Sequence, residues 1–242
     1  MKFSKSLVLL FTLSLVATAI PAQSWWGDGV KGEGPVISKT IEVDPFSGIK
    51  VTNGADVYIK QGSTQSVSIE AQANIIDLLE TEVRNGLWKI GFRKNIRKHS
   101  GIKLYITVPN LDEATVSGSG SINGENSFTT RGGFLTGVSG SGDIVLDISA
   151  EEIKSNISGS GSIRLKGKAN ALYVDISGSG NVKAYDMNVG DCKVRISGSG
   201  NCQVDVSENL EVKISGSGDV YYKGQPRIQS KISGSGNLES RS

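Results

Sequence analysis

The sequence predicts an all-β chain wound into a single-stranded parallel β-helix, on three observations. First, the tetrapeptide Ser-Gly-Ser-Gly recurs seven times, starting at Ser117, Ser139, Ser158, Ser177, Ser197, Ser215 and Ser233. The intervals of 22, 19, 19, 20, 18 and 18 residues mark a solenoid whose units stack only on their neighbours. Second, apolar and polar residues alternate between the tetrapeptides, as in Leu172-Tyr173-Val174-Asp175-Ile176 and Leu210-Glu211-Val212-Lys213-Ile214. That is strand periodicity, and the β-branched bias agrees with it. Third, two glycines per repeat and no 3.6-residue spacing disfavour helices. Two or three short strands separated by corners fill one coil of about 18–22 residues in a three-sided solenoid.

The first 22 residues read as a signal peptide. Lys2 and Lys5 form a basic start, Ser6 to Ile20 is nearly all apolar, and Ala17-Thr18-Ala19 or Ile20-Pro21-Ala22 offers a small-residue cleavage site. The apolar run is short for a membrane span of about 20 residues, and nothing later reads as a second one. Residues 23–39, with Trp25-Trp26 and four glycines, read as a flexible lead. Residues 40–242 read as one β-helix domain, irregular over 40–116 and regular over 117–236.

In the irregular part, Val51-Thr52-Asn53-Gly54-Ala55-Asp56-Val57 reads as a decayed copy of the repeat. Residues 74–80 have room for one helical turn. Glu82 to Ile90 reads as a hairpin about Asn85-Gly86, a pair suited to a two-residue turn. Leu104 to Val108 is a strand ended by Pro109. In the regular part, Val116, Val138, Ile157, Ile176, Ile196, Ile214 and Ile232 stand just before the tetrapeptide. Ile122, Ile144, Ile163, Val182, Cys202, Val220 and Leu238 stand just after its polar follower. Stacking makes each set an inward column, and each such side chain contributes roughly 1.5–3 kcal/mol on burial. The glycines permit positive φ or close packing between corners. The Ser, Asn or Asp that follows them is suited to bonding the turn backbone.

Several stretches together resemble a known family. They are Phe46-Ser47-Gly48-Ile49-Lys50-Val51, Asp56-Val57-Tyr58-Ile59 with Gln61-Gly62, Leu104-Tyr105-Ile106-Thr107-Val108-Pro109-Asn110-Leu111, and the Val-Ser-Gly-Ser-Gly repeats. Their order is similar to that of the exported bacterial auto-transporter adhesins with a head GIN domain, over nearly the whole mature chain. Ser121-Ile122-Asn123 stands where the family has Gly-Ile-Asn. The resemblance implies a right-handed parallel β-helix and adhesion at the cell envelope, without established catalytic residues.

Charge and chemistry narrow the function. The chain has 26 basic and 24 acidic side chains, and cleavage after Ala22 removes Lys2 and Lys5 alone, leaving 24 of each. A neutral chain has no bulk attraction to nucleic acid or anionic membrane. One histidine and two cysteines leave little for a metal site, and no cofactor is expected. Seven equivalent serines cannot all be activated, and His99 is the sole imidazole. Asp143 and Asp219 follow glycine-rich turns, but calcium needs six to eight oxygen ligands. Asp175 beside Arg195 and Asp147 beside Lys166 read as an exposed salt-bridge ladder, not as paired catalytic acids. Cys192 and Cys202 fall on inward columns too far apart for a disulfide, so two buried free thiols are expected. Trp25, Trp26 and Trp88 suit sugar stacking, or else a lead and a packed hairpin.

The one sharp charge cluster, Arg93, Lys94, Arg97 and Lys98, reads as a solvated loop or, as the candidate binding site, as a contact for an anionic surface glycan or phosphate group. The expected function is a non-catalytic, exported interaction or adhesion module displaying rigid polar faces. The alternatives are a glycan-binding or glycan-cleaving β-helix and a structural envelope spacer. The expected location is the periplasm, outer-membrane surface or extracellular space. The expected partners are an envelope or surface protein or glycan, with self-association through the solenoid ends.

Overall fold

The computed structural model describes residues 29–241; the signal-peptide reading of 1–22 and Trp25-Trp26 lie outside the described residues. In chain order the elements are β1 (Val30–Lys31), β2 (Val36–Thr40), β3 (Gly48–Val51), β4 (Asp56–Gln61), β5 (Ser66–Gln72) and helix α1 (Ala73–Ile76). Then come β6 (Val83–Arg84), β7 (Leu87–Ile90), β8 (Ile96–Lys98), β9 (Lys103–Val108), β10 (Glu113–Gly118), β11 (Ser121–Thr129) and β12 (Gly133–Gly140). The regular coils follow as β13 (Asp143–Gly159), β14 (Ser162–Gly178), β15 (Asn181–Gly198) and β16 (Asn201–Gly216). The last coil holds β17 (Val220–Lys223), β18 (Arg227–Gly234) and β19 (Leu238–Ser240).

From β10 onward every strand pairs in parallel with the strand one coil away, so the fold is a parallel β-solenoid. The period-two pattern becomes alternating burial, and the apolar columns are continuous. One column runs Ile90, Val51, Val116, Val138, Ile157, Ile176, Ile196, Ile214, Ile232. Another runs Leu104, Val57, Ile122, Ile144, Ile163, Val182, Cys202, Val220, Leu238. The alternation breaks between buried Ala169 and buried Leu172, where a corner turns the chain. The uneven repeat length is absorbed by register shifts at Asn123/Ser127, Arg164/Lys166, Ala184/Asn188 and Val189/Asp191. All four lie outside the Ser-Gly-Ser-Gly column, which stays in register.

Glycine is required twice in that corner. At Gly140 φ is +128°, and an added Cβ would sit 2.5 Å from the Gly118 carbonyl oxygen. At Gly142 an added Cβ would sit 2.5 Å from the Gly120 oxygen and 2.5 Å from Val116 Cγ1. The first glycine therefore meets both demands expected of it, positive φ and close packing, while the second meets only the packing demand. The residue after the tetrapeptide bonds mainly to the adjacent coil, not to its own turn. Asn201 Oδ1 accepts from the Asp219 N–H at 3.1 Å, and Asp219 Oδ1 accepts from the Asn237 N–H at 2.9 Å.

The irregular part is stacked out of chain order. Val51 and Val57 lie in register with Val116 and Ile122, so the decayed copy sits directly against the first true repeat. On its other side lie β7 and β9, which come later in the chain. Beyond them the stack is closed by antiparallel strands: β5 on β9, β2 on β5, and β6 on β7. The hairpin turn has φ of 52° at Asn85 and 75° at Gly86, the positive pair that a two-residue turn needs. Helix α1 supplies the expected helical turn. The flexible-lead reading of 23–39 is corrected in part, because β1 pairs with β8 and β2 pairs with β5. Backbone pairing orders residues 30–31 and 36–40 even though their side chains are largely exposed.

Candidate functional site

Fixed register turns equal offsets into columns on the outer surface. The residue two before each tetrapeptide forms the column Lys50, Thr115, Gly137, Asn156, Asp175, Arg195, Lys213. The first serines form a parallel column, Ser117, Ser139, Ser158, Ser177, Ser197, Ser215. The side chains at Thr115, Gly137 and Asn156 are short or absent, and the surface sinks between the serines and the Glu113–Leu135 edge. The result is a groove of about 760 Å³ crossing several coils.

The middle of the groove is neutral: Thr115, the serine hydroxyls and the Asn156 amide border it, while Val116, Leu135, Val138 and Ile157 supply apolar surface. Its charges lie toward the ends: Lys50 and Glu113 at one, and at the other Lys213 with the Asp175–Arg195 pair, whose closest atoms are 3.9 Å apart. The two acids of the lining, Glu113 and Asp175, stand three coils apart. At ~4.8 Å per coil they are separated by roughly 14 Å or more, beyond the ~5–9.5 Å of two-carboxylate glycoside hydrolysis. The groove is elongated along the stack, its lining running from Lys50 to Lys213.

The four basic residues chosen from sequence do not share this groove. All four are exposed on the stretch containing β8. The Arg93 guanidinium donates to the Asp77 carbonyl. Lys94 borders a separate hollow of about 330 Å³ with Thr52, Asn53 and His99. The structure thus spreads the cluster along the capped end of the stack. The groove residues were missed because no single one is chemically conspicuous; their shared offset from the tetrapeptide is the signal that finds them.

The remaining candidates settle into structural places. Trp88 is fully buried, donates from Nε1 to the Glu80 carbonyl at 2.9 Å, and packs on Phe46 at 5.3 Å, so it offers no sugar platform. His99 Nδ1 accepts from the Gly101 N–H, and the ring borders the hollow beside Lys94, not the groove along the serines. Asp219 also accepts from the Tyr221 hydroxyl at 3.2 Å. Lys166 makes its ion pair with Asp186, at 4.0 Å, on the coil opposite to Asp147. Cys192 and Cys202 are free and buried, in the columns expected for them. Burial pushes the Cys192 thiol up to about 12 and pushes Cys202 up as well, with Cys192 a second cause there.

The fold recurs in solved structures. One, described as a "putative adhesin" from Bacteroides fragilis, matches with TM-score 0.79 and 21% identity over 88% of this chain and 100% of that chain. Another "putative adhesin", from Parabacteroides distasonis, matches with TM-score 0.66 and 25% identity over 88% of this chain and 100% of that chain. A protein described as a "putative lipid binding protein" from the same species matches with TM-score 0.74 and 23% identity over 89% and 100% of the two chains. No curated protein matches the chain significantly. The sequence model of the family described as "putative auto-transporter adhesin, head GIN domain" matches residues 45–226, well over half the chain, and the protein belongs to that family.

Proposed function

We propose that this protein is an exported, non-catalytic adhesion module whose groove binds an extended, hydroxyl-rich chain such as an envelope or surface glycan. The observation that carries the reading is the groove itself, a continuous channel with a neutral middle on a rigid face. Family membership supports an adhesive role. Because parallel ladders hold the lining in place, a ligand meets preset hydroxyls, the Asn156 amide and apolar surface for the faces of its rings without a large ordering cost. The exposed stretch with Arg93, Lys94, Arg97 and Lys98 serves as a secondary contact for anionic groups at the capped end.

Binding to a panel of neutral and anionic glycans tests this, with lipid vesicles included because of the description of the Parabacteroides relative. Asn156→Trp fills the channel from an outward position and should weaken binding at least tenfold while leaving the melting temperature unchanged. Replacing the four basic residues by Ser should reduce binding of anionic glycans only. Retention of full affinity by the Asn156 variant would remove the groove from the account. Release of reducing ends would remove the word non-catalytic.

A further inference from the structure

The two ends of the stack differ. At one end antiparallel strands cover the solenoid, as described above. At the other, the register of β18 is with β16 alone, and among the described residues no strand is in register with its outer edge. Its inward side chains continue the core columns, Ile228 following Leu210 and Ile232 following Ile214. Leu210 and Ile214 are each 1% exposed, whereas Ile228 is 44% and Ile232 40% exposed. The core columns therefore emerge into solvent along an unpaired strand edge, the arrangement that templates pairing with another chain.

We propose that this edge pairs with the same edge of a second copy, β18 running antiparallel to β18 about a two-fold axis at Ser230. A two-fold contact is self-complementary, so whatever Ile228 faces must face Ile228 in return. Centring the axis on Ser230 sets Ile228 opposite Ile232 of the second copy and Ser230 opposite Ser230. All inward side chains then stay on one side, and the apolar columns of the two molecules run together. On the outward side Arg227 meets Ser233 and Gln229 meets Lys231, so no cation faces a cation. Sliding by one pair in one direction sets Lys231 opposite Lys231; in the other it sets Arg227 opposite Lys231. Like charges directly opposite are destabilising, which favours the Ser230-centred register over both of its neighbours.

The contact does not rest on the groove reading, and its test is separate. Sedimentation velocity over a concentration series should show a monomer–dimer equilibrium and nothing larger. Residues facing each other in an antiparallel pair have Cα atoms about 4.5–5.5 Å apart, within reach of a disulfide. Ser230→Cys should therefore give one oxidised dimer, with the buried Cys192 and Cys202 silent. The double variant Ile228→Glu, Ile232→Glu should abolish the dimer; both sites are already exposed, so circular dichroism should be unchanged. A monomer at every concentration, open-ended polymers built on the β2 edge, or a dimer in which the Ser230→Cys variant fails to cross-link would each overturn the proposal.

Discussion

Gly140 shows why the tetrapeptide is repeated with so little change. Its φ of +128° and its contact with the Gly118 oxygen both exclude a side chain, and the same corner sits against its copy coil after coil. Gly140→Ala should cost about 2–4 kcal/mol, adding backbone strain to overpacking. The exposed neighbour Ser141→Ala should stay within about 0.5 kcal/mol; chemical denaturation compares the two. The thiols give a pH dependence with a definite sign. Unfolded cysteine titrates near pH ~8.5, while Cys192 in the folded chain holds its proton up to about 12. Between those values the native state binds more protons than the unfolded state, so stability falls as pH rises. Melting temperatures should drop between about pH 8 and about pH 11, and the Cys192→Ala, Cys202→Val variant should lose part of that drop. Equal pH slopes in the two proteins would contradict the burial account.

At the scale of elements, legibility followed local signals. The hairpin at Asn85-Gly86 was readable because two adjacent residues with positive φ are a local demand met by a short list of residues. The alternation around Ile157 or Ile196 was readable because strand burial has period two. Strands β1 and β2 were not, because they carry neither a repeat nor a buried stripe and are ordered by pairing with distant strands. The stacking of β3 and β4 between β7–β9 on one side and β10–β11 on the other was likewise invisible. Sequence order suggests laying coils one after another, and nothing local marks the reversal.

At the scale of the molecule, each regular coil touches only the coils beside it, so stability is close to a sum of coil and interface contributions. Deleting residues 162–180 joins Gly161 to Asn181, and Asn181 stands in register with Ser162. The shortened chain should fold and melt cooperatively with strand-type circular dichroism, its stack reduced by one ~4.8 Å rung. An insoluble or unfolded product would count against additive stacking. The groove would lose one rung at Asp175, which makes the same variant a probe of how long a ligand must be to bind well.

The repeat alone was enough to establish the architecture and the inward columns. Glycine spacing, alternation and β-branched residues act through local sterics and burial, and a period repeated seven times leaves one way to stack them. The groove, the covered end and the open edge at β18 came only with the folded chain. Each depends on which residues from separate coils lie side by side, and on what a register leaves empty or unpaired, properties that belong to the assembled ladder and to no single stretch of it.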